Sequence, residues 1–422
     1  MKTILLITPH YPPSNLAAVH RSRLFAQHLP ALGWTPIILT VHEDYYEESL
    51  DWKLHQLLPK DQRIEKVSAF KVTKPRLIGD IGLRGYFQLR RRALELIRSE
   101  KIDFVYIPIP SFYMALLGPC LFKKTGVPYG IDYIDPWVHQ FPGSEKIYSR
   151  HWFTTQLAKF LEPIAVKHAS LITGVSEGYY KPVLERNPHL INQAISVAMP
   201  YGGEKSDHDF VSNVFLSDRV KENLTIPQKK ANTFRFVYAG AMLPKAHKPL
   251  TEIFRSLQKN DAIINFPKPE FHFIGTLGTI KPIAQRFGLW QTCVFEYSAR
   301  IPYLEVLKNL DATDGVFILG STEPHYTPSK VYQGVLSKKP ILAVLHKEST
   351  AVKVLNESKA GRCVLMDGEK DLDTLGEKFI DHLYDYIPWA IDFDPNSVNK
   401  EIFDQYSAKA VTGILVNALS KI

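Results

Sequence analysis

The chain has 422 residues, 45% of them hydrophobic and 22% charged, which is too long for one compact core and too apolar for disorder or a collagen-like repeat. Two domains of about 200 residues are the simplest division. With 51 Lys and Arg against 43 Asp and Glu, the net charge is +8, which favours anionic partners without choosing among nucleotides, nucleic acid and acidic lipid.

In chain order, residues 3–8 form a continuous apolar run of strand length. It stops at Pro9, too soon for the hydrophobic region of a signal peptide. A helix is predicted over 17–32, with Ala17, Leu24, Phe25, Leu29 and Leu32 on one side and Arg21, Arg23 and Gln27 on the other. Gly33 ends it. Strands follow at 36–41, 104–107, 129–133 and 171–175, separated by helical patterns. Between them, Arg84, Arg90, Arg91, Arg92 and Arg98 interleave with apolar residues at helical spacing. That stripe is either a solvated helix face or a surface that docks on anionic lipid. No nucleic-acid reader motif accompanies the charge, so nucleic acid is not an expected partner.

Residues 102–122 are the longest nearly charge-free stretch, yet they contain Asp103 and three prolines and cannot span a bilayer. Cys120, Cys293 and Cys363 form no C-x-x-C pair, which excludes a disulfide framework or zinc ribbon and fits a reducing compartment. The expected location is cytoplasmic, with peripheral attachment to the inner face of the cell membrane if the arginine stripe docks there.

From 199 to 232 the alternation lapses into a linker with a short helix. It restarts with strands at 234–238, 270–274, 294–297, 315–319, 340–344 and 361–365. Ile402, Phe403, Ala410, Ile414, Leu415 and Leu419 stripe a final helical segment over 400–422. Runs apolar on both faces, separated by helices, mean parallel sheets covered on both sides. The fold class is therefore α/β: two doubly wound Rossmann-like domains, 1–200 and 201–389, with residues 390–422 returning to the first. Such domains bind ligands beyond the carboxyl ends of their strands, in a crevice between the two.

No G-x-G-x-x-G follows a strand, and there is no G-x-x-x-x-G-K-[ST], H-E-x-x-H or G-x-S-x-G. Dehydrogenase, P-loop kinase, zinc hydrolase and α/β-hydrolase readings all weaken. The most informative segment runs from Ser321 to Leu336. Thr327 followed by Pro328 reads as an N-cap with proline at the first helical position. Lys330 then sits in the first turn, where the helix dipole disfavours a cation by about 0.3–1 kcal/mol. A phosphate bound there, on the N–H groups of Ser329 and Lys330, turns that penalty into attraction. The alternative is a surface lysine reaching into solvent. Gly240 ends a strand before Lys245 and Lys248, so its backbone suits a diphosphate and Lys248 suits the charge; a loop with solvated lysines reads equally well.

In the first half, Asp132 and Asp135 stand at a strand end beside Trp137. They suit orienting or deprotonating a hydroxyl, with the indole stacking on a sugar ring. Alternatively, Asp135 only holds the turn before Pro136. Pro12-Pro13-Ser14-Asn15 is a polar loop after the first strand, and Arg21 lies one turn into the next helix.

In order, Tyr11-Pro12-Pro13, the Asp132–Trp137 segment, Gly174-Val175-Ser176-Glu177, Phe236 to Gly240, Phe273-Ile274-Gly275 and Pro328 to Gln333 with Lys339-Pro340-Ile341-Leu342 resemble a retaining GT-B glycosyltransferase of the family 4 type used in bacterial surface-polysaccharide assembly. The resemblance covers nearly the whole chain. It implies transfer of a sugar from a nucleoside diphosphate sugar, UDP being the expected base carrier, to a hydroxyl of a glycan or lipid-linked acceptor, without cofactor or metal. It assigns the diphosphate to Gly240, Lys248 and Lys330, the base to the neighbourhood of Tyr297 and Arg300, and the rest of the donor to Glu323, Tyr326, Thr327, Ser329 and Gln333. The acceptor side falls to Ser14, Asn15, Arg21, Asp132 and Trp137; a donor phosphate oxygen takes the proton, and Asp132 or Asp135, the latter counted with Lys248 and Lys330 as catalytic, orients the acceptor and is not a nucleophile. Three departures stand out. Gln333 occupies the place where the family usually holds the ribose with glutamate, Glu323 and Gln333 break the usual spacing, and Pro108-Ile109-Pro110-Ser111 replaces a common histidine. A sugar-nucleotide epimerase of the same fold and a non-catalytic scaffold that binds the nucleotide sugar are the rival readings.

Overall fold

The computed structural model describes residues 1–76, 78–139, 144–217, 224–260 and 267–422. Among them the chain divides into two units, Met1–Gly202 with Ala408–Ile422 and Gly203–Ser407. The sequence expectation put the joints at 200 and 389. Part of the expected linker, residues 218–223, lies outside the described residues; the rest contains the helix Lys205–Ser217.

In the first unit, β1 (Lys2–Ile7), β2 (Trp34–Val41), β3 (Arg63–Val67), β4 (Phe104–Ile109), β5 (Tyr129–Tyr133), β6 (Leu171–Gly174) and β7 (Ile195–Ala198) make one parallel sheet in the order β3-β2-β1-β4-β5-β6-β7. The interior strands are the long apolar runs. The two edges escaped the sequence pattern: β3 carries Arg63, Glu65 and Lys66, and β7 is short and nowhere fully buried. Charge and brevity are what edges need to avoid pairing with another chain.

The first helix runs only from Ala17 to His28, and a separate 3-10 turn, Pro30–Leu32, precedes the left-handed Gly33. Its polar face is also not outward. Arg21 and Arg23 are both buried. The expected terminal helix breaks into Lys400–Asp404 and Ala408–Leu419. The second piece returns to the first unit, where Val411, Leu415 and Leu419 join Ile4, Leu6 and Phe25 in one buried cluster.

In the second unit, β8 (Thr233–Ala239), β9 (Lys268–Ile274), β10 (Val294–Tyr297), β11 (Gly315–Leu319), β12 (Ile341–His346) and β13 (Gly361–Met366) form a parallel sheet in the order β10-β9-β8-β11-β12-β13. Phe236 stacks on Phe271 with centroids 4.9 Å apart, and Phe317 and Phe379 pack against Phe271 edge-on or tilted. The helix Leu372–Ile391 lies close on His247–Lys259: a Cβ placed on Gly376 would meet the Glu252 carbonyl oxygen at 2.6 Å. No helix of the described residues is long and apolar enough to cross a membrane.

Candidate functional site

In the second sheet the chain runs outward from β8 to β9 and β10, then returns to β11 on the other side of β8. The loops after β8 and β11 therefore diverge and leave a crevice at the carboxyl ends of these two strands. Gly240 opens the first loop with φ 113°, a conformation side chains rarely adopt. Lys330 needs that space, because a Cβ on Gly240 would stand 2.9 Å from its Cε.

The Lys330 ammonium lies 4.9 Å from the centroid of the Tyr238 ring and donates to the Ala241 carbonyl oxygen at 3.4 Å. The side chain is half-buried, and burial alone lowers its pKa to about 8. Among the described residues no carboxylate forms an ion pair with it. A sheltered cation faced by a ring and a carbonyl is a seat for an anion.

Two neighbours extend this seat. A Cβ on Gly275, which has φ 75°, would lie 3.8 Å from the Gly240 Cα and 3.9 Å from the Arg300 Cα, so three backbones converge closely here. The exposed Arg300 follows β10, whose last residue, Tyr297, stacks on His272 and shares a 3.3 Å hydrogen bond with its Nδ1. Lys245, in the loop after β8, pairs with Glu323 at 2.9 Å. Lys245 had no assigned role, whereas Lys248 was expected on the diphosphate. Lys248 instead stands on the first turn of His247–Lys259, 63% exposed, and pairs with Glu369 at 2.8 Å. The 3-10 turn Pro244–Ala246 carries Lys245 toward Glu323 and leaves Lys248 facing out.

The expected helix start at Thr327 is not formed. Thr327 is buried, with its hydroxyl 2.6 Å from that of Thr350, and Tyr326 is held through its carbonyl by the Ser349 hydroxyl at 2.7 Å. The helix begins at Lys330, is seven residues long and has no side-chain cap at Ser329. A helix this short has no terminal site of its own, so the attraction for an anion rests on the lysine. Gln333, half-buried in this helix, shares a 2.8 Å hydrogen bond between its Oε1 and Nε2 of His208. His208 lies 125 residues away in sequence, and nothing in the local pattern pointed to it.

The first unit assigns its expected acceptor residues differently. Arg21 and Asp132 are both buried and form a two-pronged pair, Nε–Oδ2 at 2.5 Å and Nη2–Oδ1 at 3.1 Å. Thr173 adds a hydrogen bond to Asp132 at 2.8 Å, and Arg21 donates to the Pro200 carbonyl at 2.9 Å. Burial works against the guanidinium's charge, and the Asp132 carboxylate more than offsets it. Neither residue offers an atom to an acceptor. Trp137 is buried too, stacked on Phe112 at 6.1 Å, so its ring is core and not a sugar platform. Ser14 is fully buried and donates to Glu48 Oε1 at 2.5 Å; His10 Nδ1 approaches the same oxygen at 2.9 Å. Burial of Glu48 opposes its charge, and His10 and Ser14 outweigh this to bring its pKa to about 2. Asn15 Oδ1 lies 3.1 Å from His20 Nε2. Asp135 alone stands open at the end of β5. It is exposed by area, yet crowded enough by protein that desolvation raises its pKa to about 7.

The arginine stripe on the helix Ile81–Ser99 is partly spent within the fold, while Arg98 is exposed and forms no ion pair among the described residues. Arg84 is buried and donates to the carbonyls of Phe70 and Tyr45, each at 3.0 Å. Arg92 pairs with Glu65 at 2.8 Å and Glu95 at 3.1 Å. Arg90 is half-buried, and the exposed Arg91 lies 3.8 Å from Glu95.

No protein-family model matches the chain, and no curated protein matches it in sequence. Solved structures do match, over its whole length. A glycosyltransferase from Rickettsia africae superposes with a TM-score of 0.61 at 16% identity, covering 100% of this chain and 98% of that one. The N-terminal domain of Candida albicans trehalose-6-phosphate phosphatase gives 0.64 at 14% identity, covering 100% and 97%. HepE of Anabaena, in complex with UDP-glucose, gives 0.60 at 13% identity, covering 100% of both chains. Together with two parallel α/β domains and a terminal helix that returns to the first, these likenesses give the chain the GT-B fold.

Proposed function

We propose that the protein is a retaining glycosyltransferase of the family 4 type. It transfers a sugar from a nucleoside diphosphate sugar, a UDP-sugar, to a hydroxyl of a glycan or glycolipid acceptor in cell-surface polysaccharide assembly. The second unit takes the donor and the first unit the acceptor. The observation that carries this reading is the sheltered Lys330 ammonium, without an ion-pair partner among the described residues, packed on Gly240 at the switch point of the second sheet. The complex of HepE with UDP-glucose supports the donor class by analogy of fold.

Breaking the bond between the anomeric carbon and the diphosphate oxygen leaves positive charge on the sugar and negative charge on the diphosphate. Lys330 stabilises the second, and Lys245 and Arg300 are the nearby cations that add to it. Such stabilisation acts where charge develops, so it lowers the barrier and not only the ground state. The acceptor hydroxyl attacks the face from which the diphosphate departs, and a donor phosphate oxygen takes its proton. Asp135, the exposed carboxylate after β5, orients that hydroxyl. No metal enters this scheme.

Because the ammonium form binds the diphosphate, donor affinity is expected to fall as pH rises through about 8, where Lys330 loses its proton. Isothermal titration across that range checks this, and Lys330→Arg should flatten the profile. The direct test is a thermal-shift screen of nucleoside diphosphates and their sugar conjugates, followed by measurement of nucleotide release. Stabilisation by a uridine diphosphate with slow release of UDP into water is the expected result. Binding without release is what a scaffold gives, and a new sugar nucleotide formed from the donor alone is what an epimerase gives. Either outcome overturns the transferase.

A further inference from the structure

The helix Arg150–Val166 is amphipathic the wrong way round. Its buried residues are Thr155, Ala158, Glu162, Ala165 and Val166, small or polar apart from the valine. Trp152 and Leu161 are half-buried, Leu161 against the core, but four large apolar residues point out: Phe153 is 54% exposed, Leu157 42%, Phe160 69% and Ile164 45%. Positions 153, 157, 160 and 164 recur at the helical period, so they form one continuous stripe opposite the buried face. Ile147 and Tyr148, just before the helix, are exposed as well.

The helix is firmly held. Ser149 caps it by accepting from the Trp152 N–H at 3.0 Å, Glu162 pairs with Arg186 at 2.8 Å, and the Tyr129 hydroxyl donates to the Ala165 carbonyl at 2.7 Å. The outward stripe is therefore a fixed feature and not a frayed end.

The charge around it is one-sided. Lys146, Arg150, Lys159 and Lys167 are all exposed, and none forms an ion pair among the described residues; Glu145 is the one exposed acid from Ser144 to His168. Arg150 and Lys167 fall at helical angles on the side of the stripe itself, at its two ends.

We propose that the helix Arg150–Val166 docks the protein on an anionic lipid surface. It lies in the plane of the bilayer interface, with Phe153, Leu157, Phe160 and Ile164 at the headgroup–acyl boundary and Arg150 and Lys167 on lipid phosphates. An apolar face rimmed by Lys and Arg is what such a surface selects. A second copy of the chain is a poorer occupant, since a two-fold interface on this face would bring like charge onto like charge. The docking face is thus this helix and not the arginine stripe of Ile81–Ser99. The inference does not depend on the transferase reading.

The test uses the full chain and vesicles of phosphatidylcholine with or without phosphatidylglycerol. Sedimentation is expected with the anionic vesicles, weaker by about tenfold or more with the neutral ones and at high salt. Phe153→Gln with Phe160→Gln, both exposed in the free protein, should abolish vesicle binding with the melting temperature unchanged. Arg150→Glu with Lys167→Glu should weaken binding by about tenfold or more, whereas Arg91→Glu with Arg98→Glu should leave it nearly intact. Loss of binding in the Arg91/Arg98 variant alone, or unchanged binding in Phe153→Gln/Phe160→Gln, overturns the proposal. So does a dimer in sedimentation velocity that the phenylalanine variant dissolves, without vesicle binding by the wild type.

Discussion

Lys330→Ala is expected to weaken binding of a nucleoside diphosphate by about 10–100-fold. The free protein should melt at or above its original temperature. A hydrogen bond from a charged group contributes about 1.5–3 kcal/mol, and each 1.4 kcal/mol is a factor of about ten in affinity. Lys330 sits at the upper end of that range because its ammonium is sheltered and faces the Tyr238 ring and the Ala241 carbonyl in place of a carboxylate. In the free protein the same shelter works against the charge, which is why its pKa is lowered to about 8. Removing it therefore relieves a cost when no ligand is bound. A ligand at a hundred times its dissociation constant raises stability by about 2.7 kcal/mol; after a hundredfold loss the same concentration gives about 0.4 kcal/mol. Lys248→Ala is the control: Lys248 is exposed and pairs with Glu369, and its loss should leave the shift unchanged. Equal ligand shifts in wild type and Lys330→Ala would remove the lysine from the donor site.

Lys330 and Gly240 were legible because the sequence marks them independently of distant contacts. A glycine at the end of an apolar run and a lysine after a Thr-Pro turn both stand out locally, and both fall where a doubly wound sheet opens. Interior strands were legible for a related reason, since burial on both faces writes a continuous apolar run. The edges β3 and β7 were not, because one side of an edge carries no such demand. Lys245 and Lys248 are equivalent as letters; a three-residue 3-10 turn decides which of them meets Glu323. His208 and Gln333 come together only through tertiary packing. The polar residues misplaced at the surface, Arg21, Asp132 and Ser14, share one cause. A charge or hydroxyl reads as exposed until its partner is known, and here the partners lie 111 and 34 residues away.

Asp132→Ala is accordingly expected to act on stability and not on the acceptor. It would leave the Arg21 guanidinium buried with neutral partners only, the Pro200 carbonyl and the Phe25 and Tyr201 rings, and deprive the Thr173 hydroxyl of its carboxylate. Breaking a buried pair by removing one partner costs about 3–5 kcal/mol. For a unit of this size each kcal/mol lowers the melting temperature by about 2–4 °C. A fall of about 10 °C in the transition of the first unit, read by calorimetry, is the expected outcome. Replacing both partners by apolar residues of similar volume, Arg21→Met with Asp132→Leu, should recover most of that loss, because the desolvation cost of both charges disappears together. An acceptor-binding aspartate behaves in the opposite way: Asp132→Asn would keep the melting temperature and lose transfer. That result would return Asp132 to the acceptor side, whereas coupled loss in the single variant and recovery in the double one makes the pair the internal strut between β5 and the first helix.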